Sequence, residues 1–263
     1  MTQIFNFFLF FWSCWPCRTE LIVNVSRNKT HPEAGALKQI ISGNASTELV
    51  TIEFQEVDGT LVTILTDFRT SAQVTRLIIP GEEELNEPRA QTLCFVSAFS
   101  NDLISPEAVM KLRQKHPGAI RVADEDMGEV VQDSPIRLHA KLHMPGLVSS
   151  HLSKMCRESL SSEHELFNIL NNAKLAKMAP ALAKAKDDNY ENLQRCYNQD
   201  YSDLAQPCLC SRQVWMVWYP CALKYCRNQQ GEGEHRCGIK TCQKCLTFRF
   251  KAKSKLHCTW DEP

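Results

Sequence analysis

The sequence lacks an excess of charge of either sign, and this absence limits the partners that it can attract electrostatically. Lysine and arginine together number 30, aspartate and glutamate together also number 30, and the formal net charge is zero. No stripe of basic residues stands out along the chain. Because nucleic acids and anionic membrane surfaces attract concentrated positive charge, the sequence argues against both as partners.

Signatures of catalysis are also lacking. The sequence contains no GxSxG, HExxH, P-loop, GxGxxG or EF-hand pattern. One carboxylate is a candidate, because Asp67 ends an apolar run. The sequence favours a turn carboxylate there, and a partly buried carboxylate is the alternative. We therefore predict a protein that is not an enzyme and has no catalytic residue, no cofactor and no metal site.

Long apolar runs are lacking as well, and the one marked run lies at the amino terminus. Residues Ile4–Trp12 are apolar apart from Asn6, which is shorter than the roughly 20 residues of a membrane-spanning helix. The run suits the apolar region of a signal peptide, although no lysine or arginine precedes it, and a buried aromatic segment is the alternative. We predict a signal peptide over residues 1–18, a mature chain without a membrane span, and secretion to the extracellular space.

Three Asn-x-Ser/Thr sequons follow the predicted signal peptide, and they agree with a secretory route. They begin at Asn24, Asn28 and Asn44. Asn24 lies in a predicted strand, whereas the other two lie in polar surroundings typical of turns. All three are predicted glycosylation sites, and Asn28 and Asn44 are the better candidates.

Alternation of apolar and polar residues predicts a small antiparallel sheet in the first part of the chain. Two β-rich runs flank Asp58-Gly59, a strong signal of a hairpin turn. Ser105-Pro106 predicts the start of a first helix, and a second helix is predicted from Ser149 or Ser150 to about Leu170. The predicted fold class is therefore α+β, a small antiparallel sheet with two helices followed by a small disulfide-rich domain.

Composition divides the mature chain into three regions. The predicted α+β domain covers residues 19–165, a helical linker rich in Ala, Lys, Asn and Asp covers residues 166–194, and a cysteine-rich domain covers residues 195–263. A domain as small as the last one rarely buries enough apolar surface to fold unaided, so it depends on disulfides or a metal.

Cysteine is scarce before the tail, and nine of the 13 cysteines lie between Cys196 and Cys258. A zinc ribbon needs two CxxC-like pairs, and only Cys242-Gln-Lys-Cys245 has that spacing. Disulfides are therefore favoured in a secreted chain, with their connectivity open and one cysteine left over, which could be a free thiol or link two chains.

Two earlier cysteines and an aromatic cluster complete the candidate residues. Cys94 lies in an apolar strand and Cys156 on the apolar face of the second predicted helix. They are either buried free thiols or, as an oxidising compartment favours, a disulfide worth roughly 3–5 kcal/mol. The aromatic cluster Trp215–Pro220 is interpreted as core, with an exposed ligand-binding patch as the alternative.

Several segments closely resemble the out at first family. In the first part of the chain they are Asp58-Gly-Thr-Leu-Val, Thr66-Asp-Phe68, Leu93-Cys-Phe-Val96 and Met110–Pro117. In the tail they are Trp218–Cys226, Cys237–Lys244 and Cys258–Glu262. The resemblance extends from about residue 20 to the end, and it implies a secreted protein with a signal peptide and a poorly defined molecular activity.

The first part of that family is in turn similar to a BRICHOS domain. The similarity implies a small antiparallel sheet with two helices, one characteristic aspartate and one disulfide, at positions matching Asp67, Cys94 and Cys156. BRICHOS domains act in several proproteins as chaperones for β-prone segments. The resemblance therefore implies a chaperone module as an alternative function.

In the tail, the resemblance implies a set of eight paired cysteines with Cys245 as the unpaired one. The eight are Cys196, Cys208, Cys210, Cys221, Cys226, Cys237, Cys242 and Cys258. A free Cys245 is a candidate for linking two chains into a disulfide-bonded oligomer. We predict an extracellular protein-binding or developmental signalling factor whose protein partner is unknown.

Overall fold

The computed structural model shows a chain that consists mainly of β-strands. The described residues are 20–81, 83, 89–134, 136–139, 151, 155–156, 166–169, 190–200, 205–227 and 234–258. The predicted signal peptide, residues 1–18, lies outside them.

Nine strands form the larger sheet. They are β1 (Glu20–Val25), β2 (Leu37–Asn44), β3 (Leu49–Gln55), β4 (Leu61–Asp67), β5 (Ala72–Ile79), β6 (Gln91–Ala98), β7 (Ile120–Arg121), β9 (Ile136–His139) and β10 (Leu166–Ile169). Their order across the sheet is β7-β1-β2-β3-β4-β5-β6-β10-β9. Strands β1 to β6 form an antiparallel meander, whereas β7 and β10 lie parallel to β1 and β6.

The hairpin between β3 and β4 shows how local sequence produces the meander. Alternate residues of β3, from Val50 to Phe54, are buried, so one face of the strand belongs to the core. At the turn, Gly59 has a φ of +87°, and Asp58 Oδ1 accepts the backbone N–H of Thr60 at 2.9 Å. Glycine adopts this conformation without strain, so the Asp-Gly pair sets the register of the hairpin as predicted.

Three strands form the second sheet, in the order β11-β12-β8. They are β8 (Glu125–Ser134), β11 (Cys208–Arg227) and β12 (Glu234–Ala252). The last two form a long antiparallel hairpin, and β8 lies parallel to β12 with Glu125 beside Cys242 and Ser134 beside Phe250. The tail therefore shares a sheet with a strand from the first half of the chain.

The two sheets share one hydrophobic core. Phe95 of β6 stacks on Phe248 of β12 with ring centroids 4.2 Å apart, and Phe250 meets it edge-on at 5.4 Å. All three rings are buried. Burying one phenylalanine contributes roughly 1.5–3 kcal/mol, so these contacts favour a structure in which the tail hairpin stays on the larger sheet.

A short helix, α1 (Pro106–Met110), packs against β2. Ser105 caps it by accepting the N–H of Ala108, and Pro106 occupies the first turn, as the sequence predicted. A Cβ atom added at Gly43 of β2 would lie 2.8 Å from the carbonyl oxygen of Pro106 and 3.0 Å from the Cβ of Val109. The missing side chain at Gly43 therefore allows the helix to approach the sheet.

The predicted α+β class, with a small sheet and two helices, is wrong. Within the described ranges, α1 is the only α-helix seen from end to end, and the remaining helical residues are Met155–Cys156, Glu83 in a 3-10 conformation and three short 3-10 turns. Those 3-10 turns cover Tyr190–Asn192, Cys196–Asn198 and Lys255–His257. The nine-stranded sheet dominates instead, so the structure is mostly β.

The second predicted helix is wrong at its carboxyl end, although Met155–Cys156 within it are helical. Its predicted end reached residues that form β10, which lies between β6 and β9 in the larger sheet. A short apolar run such as Leu166–Ile169 has no periodicity that separates a strand from a helix. Pairing with β6, a strand far away in the sequence, decides the outcome.

Candidate binding groove

Ten of the candidate cysteines form five disulfides in the structure. The pairs are Cys94–Cys156, Cys196–Cys208, Cys210–Cys258, Cys221–Cys242 and Cys226–Cys237. Four of the five lie in the tail, where they staple the long hairpin and its neighbouring turns. The fifth closes the longest loop, with a sequence separation of 62 residues, and loop entropy predicts that it restricts the unfolded chain most.

Three tail sulfurs come close enough to resemble a metal site. The sulfurs of Cys196, Cys210 and Cys258 lie within 4.8 Å of one another. Each of them already belongs to a disulfide, so none offers the thiolate that zinc binds. Adjacent disulfides therefore account for this cluster.

Cys245 is a free cysteine, and it is buried at 2% exposure. Burial raises the pKa of its thiol above the ordinary value. In β12 it lies opposite Trp215 of β11. A thiol that is protonated and shielded reacts slowly, so a disulfide between two chains through Cys245 would first require the hairpin to open locally.

Asp67 lies at the end of β4, and its residue is 4% exposed. Its Oδ1 atom accepts the backbone N–H of Thr70 at 3.1 Å, which is the geometry of a turn carboxylate. Asp67 does not line the groove between the tail hairpin and the loops of the larger sheet, which is described below.

The sequon asparagines occupy different surroundings. Asn24 lies in β1 between β2 and β7, and its Nδ2 donates to the carbonyl of Pro117 at 3.1 Å. Asn28 and Asn44 are exposed, and in each the Oδ1 atom accepts the N–H and hydroxyl of the Ser or Thr two residues later. Asn28 also lies in the wall of the groove between the tail hairpin and the loops of the larger sheet.

An open groove of about 680 Å³ forms where the tail hairpin meets the loops of the larger sheet. We call it the junction groove. Three segments contribute its walls: the loop after β1 and the start of β2, the turn between β3 and β4, and β11. The lining residues are Arg27, Asn28, Ala34, Gly35, Leu37, Glu56, Val57, Asp58, Arg212, Gln213, Trp215 and Val217.

An aromatic ring and a cation form one wall of the junction groove. The guanidinium of Arg27 lies 4.1 Å from the ring centroid of Trp215, a cation–π contact. Trp215 is partly buried against the core, while Val57 at the rim is 94% exposed. The groove therefore presents an aromatic surface, a positive charge and an exposed apolar side chain together.

A charged cluster also lines the junction groove, and it joins the tail to the β3–β4 turn. Arg212 of β11 donates to Glu56 Oε2 at 2.8 Å, Asp58 Oδ2 at 2.7 Å and Thr60 Oγ1 at 3.0 Å. The second oxygen of Glu56 accepts the backbone N–H of Trp215 at 3.4 Å. One arginine thus satisfies two carboxylates at the point where the tail hairpin docks.

The two carboxylates of this cluster respond to their surroundings in opposite ways. Burial raises the pKa of Glu56 above its ordinary value, and the nearby Arg212 offsets only part of that shift. Burial also acts to raise the pKa of Asp58, but hydrogen bonds from Arg212 and Thr60 hold it below its ordinary value. Glu56 therefore depends more on its arginine partner than Asp58 does, since Glu56 is the more buried of the two.

A second polar contact fixes the tail to the loop after β6. Lys244 Nζ donates to Asp102 Oδ2 at 2.5 Å, and the lysine side chain is 7% exposed. Burial alone would raise the pKa of Asp102, but the ammonium of Lys244 holds it below its ordinary value. Burial and the Asp102 charge also raise the pKa of Tyr219, whose ring lies 5.1 Å from Lys244 Nζ. The hairpin is thus anchored at two separate places.

Sequence reasoning found one part of the junction groove and missed the rest. The aromatic cluster containing Trp215 was identified, with an exposed patch as one interpretation. Arg27, Glu56 and Arg212 carry no motif, and they come from three distant segments. Besides the aromatic cluster, the Asn28 sequon and the Asp58-Gly59 turn signal also fall in this region, but no pattern in the sequence brings the three together.

No helix within the described ranges is both long and apolar enough to cross a membrane.

Comparisons with known proteins match both parts of the chain. The family model described as Out at first matches residues 19–165, and the one described as Out at first, C-terminal matches residues 195–262. No solved structure matches the chain.

Two relatives support the same assignment. The Out at first protein of Drosophila virilis is 32% identical over 257 residues, which is 92% of this chain and 82% of that protein. The Out at first protein of Drosophila melanogaster is 31% identical over 261 residues, which is 93% of this chain and 52% of that protein, so the chain spans about half of the longer relative. By both measures, the chain belongs to the Out at first family.

Proposed function

We propose that the protein is secreted and acts outside the cell by binding a protein partner, without catalysing a reaction. Five disulfides support this proposal, because such bonds persist mainly in oxidising compartments. Two exposed sequon asparagines, Asn28 and Asn44, agree with a secretory route. A developmental signalling role is one form that such binding would take.

The observation that carries the proposal is the composition of the junction groove. Tryptophan and arginine are enriched among the few residues that dominate binding energy in protein interfaces. Here Arg27 and Trp215 are already held against each other, so little side-chain entropy is lost when a partner covers them. Val57 at the rim offers apolar surface that no described neighbour covers.

Binding to intact cells tests this proposal. The full chain would be expressed with its own amino terminus in animal cells and collected from the medium. The labelled protein would then be titrated onto intact animal cells, and the amount bound would be measured. We expect saturable binding that weakens about tenfold or more in Val57→Asp, corresponding to about 1.4 kcal/mol. The matched control is Tyr225→Asp, which changes a side chain that is 54% exposed and does not line the groove.

Equal binding by the two variants and the unsubstituted protein would contradict the groove as the binding site. Failure of the chain to reach the medium would contradict the secretory part of the proposal instead. The two outcomes are separated because secretion is measured before binding.

A second candidate function is the capping of β-prone segments, and β8 favours it. This strand lies at the outside of the smaller sheet among the described strands. Met127, Val130 and Val131 on β8 are exposed at 50%, 39% and 42%, and they line a second groove of about 590 Å³. An exposed strand edge with apolar side chains is the surface to which an extended segment adds by strand pairing.

Aggregation kinetics of an amyloid-forming peptide test the capping function. The full chain is required, because β8 pairs with β12 and a fragment without the tail would lose that support. We expect the full chain to delay aggregation, and Val131→Lys to remove most of the delay. Leu61→Lys is the control, since Leu61 is 47% exposed but pairs with β3 on one side and β5 on the other. No delay by the unsubstituted chain would rule out capping.

A further inference from the structure

The two tryptophans of the aromatic cluster have different surroundings, although only two residues separate them. Trp218 is 5% exposed and belongs to the hydrophobic core. Trp215 is only partly buried and lines the junction groove. The pairing of β11 with β12 shifts in register between Met216 and Tyr219, so Trp218 lies within an irregular part of the strand and Trp215 lies before it. Trp215 lines the junction groove of about 680 Å³, whereas Trp218 borders a smaller groove of about 430 Å³ and is almost fully covered.

The sequence Trp215-Met216-Val217-Trp218 has the form Trp-x-x-Trp. In chains that enter the secretory pathway, the first tryptophan of this pattern is the acceptor for a mannose joined by a carbon–carbon bond. We propose that Trp215 carries such a C-linked mannose. The proposal rests on the secretory route put forward under Proposed function, but it does not depend on which partner the junction groove binds.

The transfer balances without an oxidant or a reductant. The donor is a mannose linked through phosphate to a membrane lipid in the lumen of the endoplasmic reticulum. The bond between mannose C1 and the phosphate oxygen breaks, and a bond forms between that C1 and C2 of the Trp215 indole. The indole C2 proton is lost, and the lipid phosphate leaves.

The junction groove suits a sugar attached at the edge of this ring. Its volume of about 680 Å³ lies within the range of small-molecule sites, roughly 300–1,000 Å³. Polar side chains line it, including Asn28, Gln213 and Asp58, and they offer donors and acceptors for sugar hydroxyls. Arg27 covers a face of the indole, not its edge, so the cation–π contact and a substituent at C2 are compatible.

Burial favours Trp215 over Trp218 as the residue that carries the sugar in the folded protein. Trp218 is 5% exposed and belongs to the hydrophobic core, so a hexose on its ring would displace buried apolar side chains. Trp215 is only partly buried and lines the junction groove. The fold therefore favours the modification at the first tryptophan.

Mass spectrometry of the secreted full chain tests the proposal. The producing cells must modify a control protein that carries Trp-x-x-Trp. After reduction of the Cys221–Cys242 disulfide, trypsin cuts after Arg212 and Lys224, which gives a peptide from Gln213 to Lys224 with both tryptophans. We expect this peptide to gain the mass of one hexose residue, located on Trp215. Because the link is a carbon–carbon bond, fragmentation should break across the sugar ring and not release the intact sugar.

Two variants define the controls. Trp215→Phe should remove the added hexose, whereas Asn44→Gln, at a sequon that does not line the groove, should leave it in place. Unmodified Trp215 in the secreted protein, from cells that modify the control, would overturn the proposal. If the chain does not reach the medium, the secretory route fails, and the peptide is then analysed from a chain directed by a foreign signal peptide. An unmodified Trp215 in that chain would also overturn the proposal.

Discussion

Replacing Arg212 with methionine tests how the tail hairpin is held on the larger sheet. The change keeps most of the apolar stem but removes the guanidinium that contacts Glu56, Asp58 and Thr60. Glu56 is left as a buried carboxylate with a single remaining partner, the N–H of Trp215. The assay measures the free energy of unfolding by urea titration, with the disulfides intact.

The magnitude follows from the burial of the two carboxylates. Removing one partner of a buried ion pair costs about 3–5 kcal/mol, because the other charge stays buried. The Glu56 side chain is 16% exposed, so most of that cost applies to it. The Asp58 side chain is 48% exposed, and water replaces its lost partner at little cost. We expect Arg212→Met to lower the free energy of unfolding by about 3 kcal/mol at pH 7.

The pH dependence gives an independent check on the cause. Burial raises the pKa of Glu56, and the loss of Arg212 raises it further. For a carboxyl whose folded pKa exceeds its unfolded pKa, the folded state gains stability as pH falls through the folded value. In the unsubstituted protein the pKa of Asp58 is lowered, against the effect of burial, partly by Arg212, and its side chain is 48% exposed, so Asp58 contributes less to this pH dependence than Glu56 does. The cost of Arg212→Met should therefore be smaller at pH 5 than at pH 7.

A double variant isolates the role of the buried charge. Adding Glu56→Gln to Arg212→Met removes the unpaired carboxylate, so it should recover part of the lost stability and abolish the pH dependence. The explanation would be refuted by a cost for Arg212→Met within about 0.5 kcal/mol, the range of ordinary surface changes. It would also be refuted by an equal cost at both pH values with no recovery in the double variant.

Three further predictions concern a close contact, the sequons and the free thiol. Gly43→Ala should lower the free energy of unfolding by about 1–3 kcal/mol through overpacking, whereas Gly118→Ala, with no atom within 4 Å of its new Cβ, should change it little in the same urea titration. Asn28→Gln should remove one N-glycosidase-sensitive glycan from the secreted protein. Asn24→Gln should leave the electrophoretic mobility unchanged, because the Asn24 amide already donates a hydrogen bond to the carbonyl of Pro117. Because the Cys245 thiol is buried, a thiol reagent should label it only in denaturant, and Cys245→Ala should leave the oligomeric state unchanged. Rapid labelling of Cys245 in the native protein would contradict this prediction.

The parts of the fold that local chemistry determines could be predicted from the sequence. The Asp58-Gly59 turn and the Ser105 cap each depend on residues within four positions, and both lie where the pattern indicated. By contrast, β8 could not be predicted. Its residues are mostly exposed and show no alternation, and its partner β12 lies more than a hundred residues later. Pairing across such a distance leaves no local mark on the sequence.

The junction groove shows the same division between local and distant determinants. The tryptophan pair was visible as an unusual cluster, but the position of Trp215 in a groove depends on where the β3–β4 turn and the loop after β1 come to lie. The long strands of the tail were hidden because closely spaced cysteines indicate staples and do not reveal secondary structure. The wrong fold class came from the apolar spacing after Ser149, which predicted a second helix, and the resemblance to a two-helix domain agreed with it.

Site-specific photocrosslinking on living cells tests the central claim most directly, namely that the junction groove is where a protein partner binds. A photoreactive side chain is placed at Val57 on the rim of the groove in one secreted protein, and at Tyr225 outside the groove in a matched one. The claim predicts a covalent adduct of defined size from position 57, which excess unlabelled protein abolishes, and none from position 225. An adduct from position 225 with none from position 57 would contradict it.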